Sequence, residues 1–408
     1  MAIATSASRT AAGLIPADWD IRPLGETLQF ISGKAHEPYV SPNGSFVVVN
    51  SKFISTNGAV RKHCTVNLAP ARKGDVLMVM SDLPNGRALA KCFLVDTDNT
   101  YAVNQRVCIF RTSAHDARYL KYILNRNPYF MAFDDGVQQT HLLNGPIKKC
   151  PLVLPKRREQ VAIADVLSDA DDLVAALERL IAKKQAIKQG MMQQLLTGNI
   201  RLPRHFGTWR SDRIGSVCVV DPESLSPATV AASAQIDYIS LEDVSKGSVL
   251  GSTRYRFGDA PSRARRALTQ DDVLFGTVRP NLQSHARYQG GFARPVASTG
   301  FAVLRSIPNL TDPSFLSHWV LSDVVSVQIG KIIAGSNYPA VSSKDVRQLN
   351  IELPPLEEQV DIGRTLDDAD AEIGALKSRL VVTQNIKQGM MQALLTGRTR
   401  LMPAEVTA

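Results

Sequence analysis

No apolar run in these 408 residues reaches the length of a membrane-spanning helix. The opening stretch, Met1–Leu14, is rich in Ala, Ser and Thr but has no central apolar segment, so it reads as a disordered tail and not as a signal peptide. Cysteine is scarce. The five present (Cys64, Cys92, Cys108, Cys150 and Cys218) are odd in number, scattered, and form no C-x-x-C. That excludes a disulfide framework and predicts reduced, buried thiols in a cytoplasmic protein. The seven histidines show no spacing that suits zinc, alone or with cysteine, so no metal site is expected. No Gly-x-Ser-x-Gly is present, and no glycine-rich loop follows a strand to cradle a nucleotide cofactor. Asn127-Pro128-Tyr129-Phe130 resembles an adenine methyltransferase loop but lacks its second proline, and it reads better as the loop ending a helix.

Positive charge is in excess. Lys plus Arg number 47 against 38 Asp plus Glu, a formal net charge of +9. A balance of this sign favours a polyanionic partner such as nucleic acid.

The chain also repeats itself. Ile187-Lys188-Gln189-Gly190-Met191-Met192-Gln193 recurs letter for letter as Ile386-Lys387-Gln388-Gly389-Met390-Met391-Gln392, 199 residues later. Leu154-Pro155, Glu159-Gln160-Val161, Asp169-Ala170-Asp171 and Leu195-Leu196-Thr197-Gly198 return at the same offset without a gap. A period this long excludes a solenoid and means that half a protein was duplicated. The segments between the copies have diverged, which makes the copies a frame and the divergent segments the carriers of specificity.

Both copies read as helices of about 40 residues, about 60 Å long. Ile163, Leu167, Ala170, Val174, Leu177 and Ile181 alternate spacings of four and three, as do Ile362, Leu366, Ala369, Ile373, Leu376 and Leu380. Two like seams predict a mutual two-helix coiled coil. Lys184, Lys188, Thr383 and Lys387 interrupt them, which predicts a register shift. Gly198 and Gly397 suit helix C-caps. Gly190 and Gly389, inside the helices at a cost of roughly 1 kcal/mol each, predict a close backbone crossing or a docking surface.

The divergent segments, 15–153 and 202–352, read as mixed α/β. Strands are expected at 46–49, 75–80, 107–110, 272–275 and 301–304, with helical stretches at 118–124 and 314–329. Trp19 precedes Leu24-Gly25 as Trp209 precedes Ile214-Gly215, and Gly136 and Gly335 open matching loops.

On these residues the chain resembles the specificity subunit of type I restriction–modification systems. The motifs that carry the resemblance are Leu154-Pro155…Glu159-Gln160 and its copy Leu353-Pro354…Glu358-Gln359, the two Lys-Gln-Gly-Met-Met-Gln helix ends, Gly74-Asp75-Val76-Leu77-Met78, and Asp271-Asp272-Val273-Leu274-Phe275. It spans almost the whole chain. One departure is Lys156-Arg157-Arg158 where the second copy has Pro355-Leu356-Glu357.

The resemblance implies an α+β protein. Two target recognition domains (15–153 and 202–352) would be separated by two antiparallel coiled-coil helices (154–201 and 353–401) in a pseudo-two-fold repeat, with a further tail at 402–408. Each domain would read half of a split, asymmetric site in double-stranded DNA. The helices would fix the spacing and dock two methyltransferase subunits through Gln189, Gly190, Met191, Met192, Gln388, Gly389, Met390 and Met391. The partners would use S-adenosylmethionine, and restriction subunits would add ATP- and Mg-dependent cleavage. This chain would bind no cofactor and carry no chemistry. Two alternatives stay open from the residues alone: an enzyme with its own methyltransferase or nuclease activity, and a coiled-coil adaptor that does not read DNA.

Basic and amide side chains are the candidates for DNA contact. In the first domain they are Arg61, Lys62, Arg87, Lys91, Gln138 and Gln139. In the second they are Arg254, Arg256, Arg263, Arg265, Arg266, Arg279, Asn281, Gln283, Asn337, Tyr338, Ser343 and Lys344. Arg pairs with guanine O6/N7, and Asn or Gln with adenine N6/N7. Most of the group should meet phosphates, which take more hydrogen bonds than bases do.

Overall fold

The computed structural model describes residues 8–10, 13–83, 86–334 and 339–401. The chain divides into two compact units, one formed by 1–176 with 380–408 and the other by 177–379. Each therefore takes part of both long helices.

In the first unit a four-stranded sheet runs in the order 29–32, 107–111, 76–79, 92–94. Val76–Val79 is buried along its whole length because both faces of the sheet are covered. Side chains alternate between two cores, as strand geometry requires. Val76, Met78, Cys108 and Phe110 pack with Ile163 and Leu167 of the first long helix and with Leu394 of the second. Leu77, Val79, Val107 and Ile109 pack with Val47, Val49 and Phe53. Phe46–Val49 belongs to a second sheet, parallel to Tyr101–Val103. Asp20–Pro23 pairs with Pro151–Leu154, joining the start of the domain to its exit.

The second unit repeats this order in 218–220, 301–306, 273–276 and 285–287. Val273, Phe275, Ala302 and Leu304 face Ile362 and Leu366 of the second long helix and Met192 and Leu195 of the first. Leu274, Phe301 and Val303 face the opposite way, toward Ile239 and Ala297. Again a parallel pair (235–239 with 295–298) lies in the second sheet, and 210–213 pairs with 350–353. The expected strands are all present within one or two residues. The helix expected over 314–329 is two, Pro313–Val320 and Asp323–Ile333. Ser322 ends the first by donating to the Trp319 carbonyl at 2.7 Å and caps the second, a competition typical of serine.

The repeated segments form helices Arg157–Leu195 and Leu356–Leu394, 39 residues each. Gly198 and Gly397 follow them in the left-handed conformation at φ +70° and +71°, as a C-cap requires. In the first unit Asp171 pairs with Lys387 and Glu159 with Arg400, so the two helical segments there run antiparallel. In the second, Lys188 pairs with Asp370 at 2.5 Å and Lys184 with Glu372 at 2.7 Å, and Arg201 reaches Glu358, again antiparallel. Lysines that looked like defects in an apolar seam are thus neutralised by carboxylates on the facing helix, and both helices run unbroken past them.

Candidate nucleic-acid interface

Many repeated motif residues turn out to build the frame. Buried Glu159 accepts from Trp19 Nε1 at 3.1 Å and from the Arg400 guanidinium at 2.7 and 2.9 Å. Buried Glu358 accepts from Trp209 Nε1 at 3.2 Å and from Arg201 at 2.5 and 2.6 Å. The neighbouring glutamines work alike. Gln160 accepts from the Asp116 amide at 3.0 Å, and Gln359 from the Asp312 amide at 2.9 Å, fixing the helix that follows each. Asp75 takes a two-pronged bond from Arg111 (2.8 and 2.7 Å), and Asp272 takes one from Arg305 (2.8 Å for both). The hydrogen bonds they donate to these carboxylates hold the pKa of both guanidinium groups above the usual value. A buried ion pair placed this way fixes geometry more than it adds stability.

This frame holds a pair of loops in the first unit. After Val76–Val79 the chain passes through Ser81–Asp82, which pairs with Thr140–His141. The Asp82 carboxylate organises the next turn, accepting from the amides of Leu83 (2.9 Å), Ala88 (2.6 Å) and Leu89 (3.2 Å). Arg87 is exposed on that turn, and Lys91 is half-buried behind it. Opposite, Asp135 accepts from the amides of Val137 and Gln138 at 2.9 and 3.1 Å. Gln138 is exposed, while Gln139 donates to Ser81 at 3.0 Å and ties the two loops together. Arg126, which sequence reading missed, donates to the Arg87 carbonyl at 3.1 Å and brings an exposed guanidinium to the same edge. Arg61 and Lys62 are exposed on a different sheet, beside His63–Cys64, and Arg61 donates to the Gly58 carbonyl at 3.0 Å.

Different side chains occupy the same framework in the second unit. Past Val273–Gly276, Thr277 and Arg279 exchange backbone bonds with 339–341: the Arg279 amide donates to Pro339 at 2.8 Å and the Val341 amide to Thr277 at 2.9 Å. A tight turn, Pro280–Leu282, lies between Arg279 and Gln283, both in the left-handed conformation at φ 48° and 55°. Non-glycine residues occupy that region at a cost. Arg279 and Asn281 are exposed, whereas Gln283 is half-buried and directed at Leu321 O and Ser326. Lys246, also missed, is exposed on the hairpin that closes over this turn, its amide donating to Gln283 O at 3.1 Å. Lys344 is exposed and Ser343 half-buried in the first turn of the short helix Ser343–Arg347 that follows 339–341. Asn337 and Tyr338 lie outside the described residues.

The remaining arginines do not form the single cluster expected. Arg254 and Arg256 lie on one edge strand of the sheet ordered 253–256, 235–239, 295–298, 264–267, and Arg265 and Arg266 on the opposite edge. Strand spacing puts those edges about 14 Å apart. Arg254 pairs with Asp237 at 3.0 Å and stays exposed, as do Arg256 and Arg263. Arg265 packs its guanidinium over Phe257. Arg266 must be withdrawn as a DNA contact: it is directed inward to Asp221 at 2.9 Å.

The expected docking residues also divide. Met192 is buried in the second unit's core, and Met191, Met390 and Met391 pack partly into the core of their own unit. Methionine fills core gaps well, which corrects Met192 as a docking residue. Gln388 and Gly389 are exposed, and Gln189 is exposed with a long contact to Asp323 at 3.4 Å. A Cβ added at Gly190 or Gly389 meets nothing within 4 Å, so neither glycine serves a close crossing within this chain.

Among the described residues no group of His, Cys, Asp or Glu could hold a metal ion, and no helix is long and apolar enough to cross a membrane. All five cysteines are free and buried, and burial pushes the thiols of Cys150 and Cys218 up to about 12. Asn127 spends its amide locally, donating to Ile123 O at 2.7 Å and accepting from Tyr129 N at 2.9 Å. It closes the last turn of helix Ala117–Leu124 and caps the start of the short helix Pro128–Met131.

Two pairs of polar loops on a repeated α+β frame define the class of protein, and the comparisons agree. The chain belongs to the type I restriction modification DNA specificity domain family, whose family model matches residues 16–189 and 233–382. It is 20% identical to the type I restriction enzyme MjaVIII specificity subunit of Methanocaldococcus jannaschii, over 95% of this chain and 94% of that one. Its fold is similar to that of the type I restriction-modification S subunit from M. genitalium, with TM-score 0.60 and 15% identity over 92% of this chain and 96% of the other. A chain solved in work on complex assembly and conformational transition of the type I R-M system is similar with TM-score 0.56 and 19% identity, covering 94% and 99%.

Proposed function

We propose that this chain is the DNA-reading and scaffolding subunit of a type I restriction–modification complex and recognises a bipartite, asymmetric site in duplex DNA, one half with each unit. One observation carries the reading. The two units share strand order and buried ion pairs, yet their loop tips carry Arg87, Arg126 and Gln138 in one and Arg279, Asn281 and Lys246 in the other. A shared frame with different base-reading side chains suits two different half-sites.

On this reading the long helices, paired in a pseudo-two-fold coiled coil, set the distance between half-sites. The exposed helix positions Gln189, Gln388 and Gly389, with half-buried Gly190, are the part left for docking two methyltransferase subunits. Those partners bring S-adenosylmethionine, and restriction subunits bring ATP and Mg chemistry. The chain itself is non-catalytic and works in the cytoplasm, where DNA is reached.

The test is methylation mapping. The chain is expressed with its methyltransferase partner, and modified adenines are located across a genome before and after residues 15–153 are exchanged for those of a relative. One half-site should change and the other stay. Change in both halves, or adenine methylation by the chain without a partner, would refute the assignment.

A further inference from the structure

Both units hold bare aliphatic side chains out from the same polar loops. Leu83 and Val137 are 66% and 76% exposed in one, and Val278 and Leu282 are 45% and 58% exposed in the other. A lone exposed aliphatic residue is unremarkable. What sets these four apart is how firmly they are held. The Asp82 carboxylate accepts from the Leu83 amide and the Asp135 carboxylate from the Val137 amide, both at 2.9 Å. Val278 is bridged to Ala340, and Leu282 closes a turn flanked by two left-handed residues, its amide donating to Arg279 O at 2.9 Å. Their neighbours are cationic or amide-bearing: Arg87 and Gln138 in one unit, and Arg279, Asn281 and Lys246 in the other. A surface for another protein would be a continuous apolar patch. Isolated aliphatics set among cations suit a polyanion that offers isolated apolar groups.

Duplex DNA is such a partner. The thymine C5-methyl is the one apolar group that an unmodified base pair presents in the major groove, beside the acceptors and donors that Arg, Asn and Gln recognise. We propose that Leu83 and Val137 in the first unit, and Val278 and Leu282 in the second, contact thymine methyl groups and so help to determine the recognised half-sites. The proposal rests on the DNA-reading function above. Because that function methylates adenine, the recognised site holds at least one A·T pair and hence a thymine.

The experiment compares duplexes carrying the mapped site with duplexes in which deoxyuridine replaces the thymines of one half-site, deleting only the methyl. Binding of the full chain, in complex with its methyltransferase partner, is measured at one fixed salt concentration. Loss of one buried methyl should weaken binding about fourfold. The double variant Val278→Ala/Leu282→Ala should bind thymine and uracil forms of its half-site alike while still discriminating at the other. Leu83→Ala/Val137→Ala should do the reverse. Equal binding of both duplexes by the unaltered chain overturns the proposal, as does a variant that keeps full discrimination or instead loses its methyltransferase partner. If the complex prefers the mapped site no more than a scrambled duplex, the DNA-reading function itself falls.

Discussion

Arg305 and Asp272 show how one pair of side chains can decide whether a loop is presented at all. Asp272 is buried and also accepts from the Thr269 amide at 2.8 Å. Removing the arginine leaves that carboxylate without its charged partner. Arg305→Met is expected to cost about 3 kcal/mol in denaturant unfolding, and adding Asp272→Asn should recover much of the loss. Equal stability of the single variant and the unaltered protein would contradict the account. His285 gives a second test at this scale. It is stacked on Phe275 at 4.2 Å, and its Nδ1 accepts from the Gly276 amide at 2.9 Å. Burial pushes its pKa down from 6.5 to about 4. The folded state thus binds the proton less readily than the unfolded state does. The stability it carries is complete above pH 6.5 and is lost as pH falls toward 4. His285→Asn keeps an acceptor for the amide without the titration. Unfolding midpoints of the unaltered chain should therefore fall more steeply than the variant's between pH 7 and 4.5, and parallel slopes would sink the prediction.

Among elements, the long helices were the most legible in the sequence, because a seam of Ile163, Leu167 and Leu177 reports helical period directly, and Gly198 and Gly397 mark where it stops. The strands followed from β-branched runs such as Phe46–Val49. What the sequence hid was partnership. Nothing in the spacing of Lys188 and Lys387 discloses that Asp370 and Asp171 face them, since those contacts join residues about half a chain apart. Arg266 and Met192 looked available for the same reason: the sequence shows a side chain's chemistry but not the Asp221 or the Leu195 that occupies it. Arg126 and Lys246 were missed because tertiary bonds, and no local pattern, bring them to the loops. The two lysine pairs also differ in a way the identical sequences conceal. Asp370 is exposed and meets only Lys188 among the described residues, whereas Asp171 also accepts from Tyr122 at 2.7 Å and lies near Lys121. Burial pushes the Asp171 carboxyl up, but hydrogen bonds from Lys387 and Tyr122 outweigh it and leave it below the usual carboxylate range. Asp171→Ala is accordingly expected to destabilise by about 1.5–3 kcal/mol, the range for hydrogen bonds to a charged group. Asp370→Ala should cost about 0.5 kcal/mol, as exposed pairs do. Equal losses in urea unfolding would mean that the repeats are energetically alike after all.

For the molecule as a whole, each continuous helix is anchored twice. The first long helix is tied into one unit through Glu159 and Asp171, and into the other through Lys184 and Lys188. The stretch between Asp171 and Lys184 joins these two sets of anchors, so it is where a change of helix length is placed to test the spacing role. On the proposed function, adding four residues there and four between Glu372 and Lys387 of the facing helix, about one turn in each, lengthens both helices by about 5.4–6 Å and keeps their pairs in register. A base pair rises about 3.4 Å. The preferred gap between half-sites should therefore grow by one or two base pairs while the bases read at each end stay the same. Four residues turn the helix by about 400°, so an added turn nearly preserves the faces on which Lys184 and Lys188 lie, whereas two added residues would carry them about 200° round and break both pairs. The four-residue insertion should keep full methylation on a lengthened site, and the two-residue insertion should lose most activity on every spacer. Methylation of a set of duplexes with graded gaps measures both. An insertion that altered the recognised bases and left the preferred gap alone would place base readout in the helices and overturn the division of labour proposed for this chain.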